Sequence, residues 1–270
     1  MSELYEPFVR NGNPILVMDE RSAEMTKYAA NSFLATKISF INEIANLCER
    51  LGANIDCVRR GMGSDSRIGK HFLYAGIGYG GSCFPKDVKA LAKTAKEHGQ
   101  PLKVLSAVMA ANEEQRAVLL PHILGYFGGS LEGKQLAVWG LSFKANTDDV
   151  RESSALALIG CLLDLGGKVR AYDPVAMGTA RAVIGEAISY APNAYGALLE
   201  SDALIFCTEW NEFRRPDFEE IKQHLKQPAV FDGRNLYDPQ QMAKLGFDYF
   251  SIGRPSPTRV IENDLEETNR

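Results

Sequence analysis

The sequence predicts an α/β protein in which helices come first, one of them very long, and a doubly wound parallel sheet follows. Apolar residues three and four apart run through residues 19–51, as on one face of a helix. A glycine-rich turn at residues 76–83 leads into a further helical pattern. Beyond Gly129, short apolar runs alternate with helical patterns, which is typical of a parallel sheet covered by helices.

Residues 19–51 are predicted to form one continuous helix. The segment is rich in Ala, Met, Leu, Ile, Glu and Lys, and the glycine after it, Gly52, is a typical helix stop. Such a helix is far longer than the mean of about 11 to 12 residues in globular proteins. We therefore expect it to be a spine between domains or across a subunit interface, and we expect a homodimer or larger homo-oligomer held by this helix.

Two further helical patterns follow the glycine-rich turn. The first begins after Cys83, has Pro85 at its first position, where proline is favoured, and is closed by Gly99. The second covers residues 102–126 and is expected to break near Pro121.

The pair Gly128-Gly129 marks the predicted boundary between two domains. A central helical and dimerisation domain is expected at residues 1–129 and a sheet domain at residues 130–270. In the second domain, strands are expected at 136–140, 169–172, 203–207, 230–231 and 249–252, with helices near 154–165, 193–200 and 218–225.

Parallel sheets of this kind bind ligands beyond the carboxyl ends of their strands. The predicted strand ends direct attention to residues 142–144, Asp173, Glu209 and residues 232–234.

Composition excludes several classes of function. The net charge of −4 gives no basic field for nucleic acid. No apolar run approaches the about 20 residues of a membrane span, and the N-terminus has no signal-peptide pattern, so we expect a cytoplasmic protein without a membrane partner. The five cysteines are odd in number and form no C-x-x-C pair, which argues against a disulfide framework and against a metal site.

Cys83 is the candidate nucleophile. A cysteine reacts as its thiolate, which the free amides and dipole of a helix N-terminus stabilise. Asp87 lies one turn further on, where a carboxylate can act on a proton or a water at the sulfur, and Lys27 and Asn31 share a face of the long helix and could stabilise an oxyanion. The alternatives are a buried structural thiol, an acid that compensates the helix dipole, and ordinary surface residues.

Several segments together resemble the UDP-glucose/GDP-mannose dehydrogenase family, over nearly the whole chain. The run 80–87, GGSCFPKD, is similar to the family's catalytic-cysteine signature. Other matching segments occur in the same order and spacing: 27–31 (KYAAN), 67–69 (RIG), 140–144 (GLSFK), 147–152 (TDDVRE), 208–210 (TEW) and 232–234 (DGR). The resemblance implies that the sheet domain is Rossmann-like and binds UDP.

The resemblance also implies a reaction. In this family the C6 alcohol of a nucleotide-sugar is oxidised to an aldehyde, captured by the cysteine as a thiohemiacetal, oxidised to a thioester and hydrolysed, with two NAD consumed. By this match Cys83 is the nucleophile, Lys27 and Asn31 stabilise charge on the substrate oxygen, and Asp87 assists proton transfer or water attack. UDP-glucose oxidation of this kind usually supplies UDP-glucuronate for polysaccharides.

The same match implies binding roles. Lys144 and Arg234 would contact the nucleotide-sugar, Arg67 would reach a site from a neighbouring subunit, and Lys86 and Arg151 would contact NAD. The remaining residues implied in substrate contact are Phe72, Leu73, Tyr74, Ala75, Gly76, Gly80 and Phe143.

One family feature is absent from the sequence. Relatives begin with a Rossmann domain whose first strand runs into a G-x-G-x-x-G turn, whereas the glycines at 76, 78, 80 and 81, which include that spacing, do not follow a strand in this way. We therefore expect that the NAD-binding domain is lacking, and that the isolated chain folds, dimerises and binds UDP or UDP-glucose weakly without turning over.

Three other readings stay open. The substrate could be GDP-mannose, although 208–210 and the segment 249–255 look more like the UDP-glucose branch. The chain could be a non-catalytic nucleotide-sugar-binding or oligomerising module. It could also be a thiol hydrolase that pairs Cys83 with one of the histidines His71, His98, His122 and His224.

Overall fold

The computed structural model describes residues 2–5, 7, 9 and 15–256, and it consists of a helical layer followed by a helix-covered parallel sheet. The helical layer contains α1 (Ser2–Tyr5), α2 (Glu20–Leu51), α3 (Ile55–Gly63), α4 (Phe84–Glu97), α5 (Lys103–Gln115) and α6 (Leu120–Tyr126). Over the described ranges, no helix combines the length and apolar composition that crossing a bilayer requires.

The predicted long helix is confirmed as α2. It has 32 residues and is therefore about 48 Å long. The Asp19 carboxylate accepts a hydrogen bond from the Ser22 amide and caps its start, and Gly52, at φ 71°, closes its end in the left-handed conformation. The helix packs against both α4 and α5, so it is the spine of the helical layer.

The structure corrects one detail of the helices that follow and locates the predicted break near Pro121. Pro85 is the second residue of α4, not the first, because Phe84 begins the helix. The pattern 102–126 is interrupted at residues 116–119, and Pro121 lies in the first turn of α6, where a missing N–H costs no helical hydrogen bond. The proline therefore begins a helix and does not break one.

The predicted doubly wound sheet is confirmed. It has six parallel strands in the order β3-β2-β1-β4-β5-β6. The strands are β1 (Gln135–Trp139), β2 (Lys168–Tyr172), β3 (Ser189–Tyr190), β4 (Ala203–Phe206), β5 (Ala229–Asp232) and β6 (Asp248–Ser251). The helices of this half are α7 (Ser154–Asp164), α8 (Met177–Ile184), α9 (Ala194–Leu198), α10 (Phe218–His224) and α11 (Pro239–Lys244), with a 3₁₀ turn at Asn211–Arg214.

Sequence reasoning missed β3, α3, α8 and α11. These elements have between two and nine residues, too few for an apolar period to be visible. Their ends are fixed by local hydrogen bonds instead, such as those that the side chains of Asn54 and Asp238 accept from backbone amides at the starts of α3 and α11.

One apolar core joins the helical layer to the sheet. Ile41 and Ala45 of α2, Leu119 before α6, and Leu136 and Val138 of β1 are fully buried in the same cluster. This core continues across residues 127–134, which connect the helical layer to the sheet. The two halves of the chain therefore pack against each other, and a cleft lies between them.

Asp173 is a structural residue and does not face a ligand. Its side chain is fully buried and accepts hydrogen bonds from the amides of Leu141, Ser142 and Ala176 and from the indole of Trp210. Asp232 is equally buried and accepts from three backbone amides and the Tyr249 hydroxyl. Both carboxylates hold the loops after the strands in place.

We predict that Asp173→Ala lowers the free energy of unfolding by about 3 kcal/mol or more, because several buried donors lose their acceptor together. Urea titration measures this. Asp164→Ala at an exposed position is the control and should stay within about 0.5 kcal/mol of the unchanged chain. Equal effects of the two substitutions would contradict a structural role for Asp173.

Candidate active site

A cleft runs between the helical layer and the carboxyl edge of the sheet, and it contains three adjoining cavities. The aromatic cavity, of about 400 Å³, is lined by Ile38, Asn42, His71, Phe72, Tyr74, Gly76, Gly78, Tyr79, Gly80, Phe84, Phe143, Lys144, Glu209 and Arg234. The arginine cavity, of about 450 Å³, is lined by Ile55, Asp56, Arg59, Tyr74, Ala75, Glu209, Arg214, Arg234, Asn235 and Leu236. The cysteine cavity, of about 790 Å³, is lined by Lys27, Gly81, Ser82, Cys83, Pro85, Lys86, Asp87, Lys89, Arg151 and Glu152.

Cys83 lies at the N-terminus of α4 and is exposed in the cysteine cavity. Its neighbour Ser82 places a hydroxyl 3.7 Å from the sulfur. By contrast, Cys207 is buried in the sheet, where desolvation raises the pKa of its thiol to about 12. Of the five cysteines, Cys83 is the one that the fold presents inside a described cavity.

The fold brings together the four residues predicted to do chemistry. The Asn31 amide donates a hydrogen bond of 2.6 Å to Asp87 Oδ2, and Lys27 Nζ lies 3.8 Å from the same oxygen. Asp87 sits one turn into α4, and its amide bonds to the Cys83 carbonyl. Asp87 thus accepts one hydrogen bond from α2 and has an ammonium of the same helix nearby. It lines the same cavity as the thiol, which is an arrangement able to handle protons and to stabilise an oxyanion.

Lys86 and Arg151, predicted to contact a cofactor, also line the cysteine cavity. Arg151 makes two side-chain hydrogen bonds to Asp149, of 2.9 and 2.8 Å. The Asp149 carboxylate raises the pKa of Arg151, and the Cys83 sulfur adds a smaller contribution in the same direction. A fixed cation therefore stands beside the thiol.

Glu152 faces the same cavity but is unsuited to act as a base. It pairs with Lys89 at 2.7 Å and with Arg116 at 2.8 Å. These two cations hold the pKa of Glu152 below its ordinary value. A carboxylate stabilised in this way binds protons weakly.

Buried amides of the long helices hold the glycine-rich segment 76–83. Asn42 of α2 accepts a hydrogen bond from the Gly76 amide, and Gln115 of α5 donates one to the Gly76 carbonyl. Asn112 bonds to both the amide and the carbonyl of Tyr79. Sequence reasoning missed all three, because a buried amide that binds backbone looks like any polar residue on a helix.

The opposite side of the segment touches the sheet half so closely that side chains are excluded. A Cβ on Gly80 would overlap the Glu152 carbonyl, and one on Gly81, which has φ 86°, would overlap the Phe143 ring. The Gly81 amide donates to the Arg151 carbonyl at 2.8 Å. Glycine is needed at these two positions because any side chain would overlap the Glu152 carbonyl or the Phe143 ring.

Most predicted substrate contacts line the aromatic cavity: Phe72, Tyr74, Gly76, Gly80, Phe143, Lys144 and Arg234. Lys144 Nζ lies 5.4 Å from the centre of the Phe143 ring. Arg234 donates to the carbonyls of Cys207 and Phe143 and lies 3.4 Å from Glu209. Two cations therefore face the cavity from the sheet side, which suits an anionic ligand.

Three predicted contacts lie elsewhere. Ala75 lines the arginine cavity, whereas the Leu73 side chain is buried in the main core, so only its backbone could meet a ligand. Arg67 pairs with Asp65 at 2.6 Å and belongs to none of the three cavities. Its loop is tied to α2 by a hydrogen bond from Lys37 to the Ile68 carbonyl.

No histidine lines the cysteine cavity as described, so the arrangement of a thiol with a histidine is not formed there. His71 lies in the aromatic cavity, His98 bonds to the Thr94 carbonyl and His122 pairs with Glu49. Within residues 2–5, 7, 9 and 15–256, no group of three metal-ligating side chains is placed to hold a metal ion.

Two models of one protein family match the chain. The central domain of the UDP-glucose/GDP-mannose dehydrogenase family matches residues 21–114, and its UDP-binding domain matches residues 137–239. The first matched range includes α2 and α4, which carry residues of the cysteine cavity. The second includes the sheet-side wall of the cleft.

Curated relatives agree with these matches. The chain is 50% identical over 260 residues to a UDP-glucose 6-dehydrogenase of Pseudomonas aeruginosa, covering 94% of the chain and 57% of the relative. It is 48% identical over 255 residues to a UDP-glucose 6-dehydrogenase of Rhizobium meliloti, covering 94% of the chain and 58% of that relative. The chain thus spans somewhat more than half the length of the curated relatives that it matches.

Solved structures show the same fold. A UDP-glucose dehydrogenase from Pyrobaculum islandicum superposes with a TM-score of 0.78 at 38% identity, covering 86% of this chain and 52% of the other. An NDP-N-acetyl-D-galactosaminuronic acid dehydrogenase from Methanosarcina mazei gives a TM-score of 0.80 at 26% identity, covering 94% and 55%.

We predict that the Asp149–Arg151 pair makes stability depend on acid pH. Arg151 holds the pKa of Asp149 below 3.8, so the pair stabilises the fold at higher pH and loses this contribution as pH falls through the folded-state pKa. Asp149→Asn should lower the free energy of unfolding by about 1 kcal/mol near neutral pH, and the difference should shrink as pH falls through the folded-state pKa of Asp149.

Urea titrations across this pH range measure the effect, with Asp148→Asn as the matched control, because Asp148 is the exposed neighbouring acid and Arg151 pairs with Asp149. A difference between Asp149→Asn and the unchanged chain that persists at low pH would contradict the ion pair as its source.

Proposed function

Because the chain belongs to the UDP-glucose/GDP-mannose dehydrogenase family, of which it carries the central and UDP-binding domains, we propose that it forms the substrate side of a UDP-glucose 6-dehydrogenase. One observation carries the proposal. Cys83, Lys27, Asn31 and Asp87 meet at one end of a cleft whose sheet-side wall presents Lys144 and Arg234 to a ligand.

The nucleotide end of the ligand would lie along the aromatic and arginine cavities. These two cavities share Tyr74, Glu209 and Arg234 and so form one continuous groove. Lys144 and Arg234 would neutralise the diphosphate, while the aromatic rings would cover the apolar faces of the sugar or base. The sugar C6 would then point toward Cys83.

At the reactive end, Cys83 would capture the C6 aldehyde. The sulfur adds to the carbonyl carbon, and the carbonyl oxygen, which becomes negative, takes up a proton. Lys27 and Asn31 stand on the same face of α2 beside Asp87 and would stabilise that oxygen. The resulting thiohemiacetal remains bound to the enzyme, which prevents loss of the reactive aldehyde.

The thioester formed by the second oxidation would be hydrolysed at the same place. A water oxygen attacks the acyl carbon, the carbon–sulfur bond breaks, and the products are the C6 carboxylate and the free Cys83 thiol. Asp87 would accept the water proton, because it lines the same cavity as Cys83, accepts a hydrogen bond from Asn31 and has the Lys27 ammonium nearby.

The residues fit NAD only in part. Lys86 and Arg151 are exposed cations in the cysteine cavity and would contact its phosphates from this side. Gly140 lies in the turn after β1, where a parallel sheet often binds a dinucleotide, and packs so closely on Thr208 that a Cβ there would overlap it. When bound, NAD would supply the hydride acceptor, with one molecule for each of the two hydrides that leave C6. Since the G-x-G-x-x-G spacing at Gly76, Gly78 and Gly81 lies in the turn before α4 and does not follow a strand, we propose that this polypeptide alone does not reduce NAD.

UDP-glucose is favoured over GDP-mannose by the names of the curated relatives at 48 to 50% identity. A non-catalytic binding module is the second candidate function, because a cleft with two cations can hold a nucleotide without chemistry. The four residues at Cys83 argue against it, since binding alone gives no reason to orient Asp87 beside an exposed thiol.

A homodimer through α2 is also proposed. Phe33, Phe40 and Leu47 are seven residues apart on α2, and about half or more of each side chain is exposed. Such a stripe at heptad spacing suits packing against a second copy. The loop that carries Arg67 is tied to the same helix through Lys37, so a partner on α2 would lie close to Arg67.

We predict that Lys144→Met weakens binding of UDP-glucose about tenfold and leaves the melting temperature unchanged, because the Lys144 ammonium faces the cavity. Calorimetric titration of the 270-residue chain measures the dissociation constant.

The matched control is Lys134→Met, which removes an ammonium that lies over Phe127 outside the cleft. GDP-mannose and NAD are titrated in parallel. Absence of saturable UDP-glucose binding, or tighter binding of GDP-mannose, would contradict the proposed substrate.

We predict that Phe40→Asp converts the chain from a dimer to a monomer, because a carboxylate in the apolar stripe would lose its hydration on association. Sedimentation velocity measures the assembly. Val104→Asp, at a more exposed apolar position on α5, should leave the assembly unchanged. A monomeric unchanged chain would rule out the interface.

A further inference from the structure

The two walls of the cleft meet closely beside Cys83, in addition to the contact between Ile77 and Gly233. Residues 80–81 of the glycine-rich segment lie against residues 151–152, the loop that leads into α7. One backbone hydrogen bond, from the Gly81 amide to the Arg151 carbonyl, closes this contact. Any movement of the loop would change the distance between Arg151 and Cys83, because both line the cysteine cavity.

The Glu152 side chain spans three elements at this place. Oε1 pairs with Lys89 of α4, the helix that begins at Cys83, and Oε2 pairs with Arg116 directly after α5. Arg116 is mostly buried, and its other acidic partner, Glu113, lies farther away at 3.4 Å and is exposed. Glu152 is therefore the closer counter-charge of a buried guanidinium.

The Glu152 backbone is held in an unfavourable conformation. Its φ is 51°, in the left-handed region that costs a residue with a long side chain about 1 kcal/mol. Its carbonyl occupies the place beside Gly80 where a Cβ would stand. The ion pairs of Glu152 with Lys89 and Arg116 offset this conformational cost and keep the Glu152 carbonyl beside Gly80.

We infer that Glu152 is a positioning residue, which fixes the Arg151 loop against the glycine–cysteine segment and so assembles the nucleotide-sugar site from its two walls. It acts through Gly81 and Arg151 and does not contact the reacting atoms. For its effect on ligand binding, the inference rests on the proposed function.

The test compares Glu152→Gln with Glu113→Gln in the 270-residue chain. Both substitutions remove one acidic partner of Arg116, but only Glu152 touches the cleft. Two quantities are measured: hydrogen exchange of the Gly81 amide by NMR, and the dissociation constant of UDP-glucose by calorimetry. We expect Glu152→Gln to raise both about tenfold and Glu113→Gln to change neither by more than about twofold.

A double-mutant cycle with Lys89→Met separates positioning from general stability. If the Lys89–Glu152 pair fixes the loop, the two substitutions are not additive, and the double variant exchanges and binds within about twofold of Glu152→Gln. The matched control is Lys93→Met, which breaks another ion pair of α4 away from the cleft.

The inference is overturned if Glu152→Gln lowers the melting temperature while Gly81 exchange and UDP-glucose affinity stay within about twofold of Glu113→Gln. If the unchanged chain binds no UDP-glucose, the proposed function fails, and Gly81 exchange alone still decides whether Glu152 fixes the loop.

Discussion

The backbone of residues 76–83 is held from two sides, and the rest of the site depends on this constraint. Buried amides from α2 and α5 bind the peptide groups of Gly76 and Tyr79 on one side. On the other side, Gly80 and Gly81 lie in close contact with the loop at residues 151–152, which is possible because glycine has no side chain. A segment fixed in this way places Cys83 at the start of α4 and forms a wall of both the aromatic cavity and the cysteine cavity.

This arrangement explains how one short segment can serve both binding and chemistry. Upstream of Cys83, the glycines of this segment and Tyr79 line the aromatic cavity together with Lys144 and Arg234. At Cys83, the chain turns into a helix whose first turn supplies Asp87, and α2 supplies Lys27 and Asn31 to the same point. Because α2 also carries Asn42 and the exposed apolar stripe, the helix connects the reactive group, the nucleotide groove and the proposed dimer interface. One rigid helix can thus hold these three features at fixed positions relative to one another.

Sequence reasoning located α2, the parallel sheet and the four residues at Cys83, because these depend on long apolar periods and on a recognisable run of residues. It could not find Asn42, Asn112 or Gln115, whose roles depend on which backbone group each amide meets across the fold. It also pointed to Asp173 as a residue at a ligand-binding strand end, whereas burial makes it a structural acceptor. A carboxylate at a strand end can bind a ligand or can hold a loop in place, and only its burial in the folded structure distinguishes the two roles. The division at residues 129–130 stays a prediction, since the apolar core continues across it.

The central claim is that the two walls of the cleft hold one nucleotide-sugar with its C6 atom at Cys83. A crystal structure of the chain with UDP-glucose tests this most directly. The account predicts the diphosphate beside Lys144 and Arg234 and the C6 atom within about 4 Å of the Cys83 sulfur, next to Asp87. A nucleotide-sugar bound with its sugar directed away from Cys83, or bound outside the three cavities, would contradict the account.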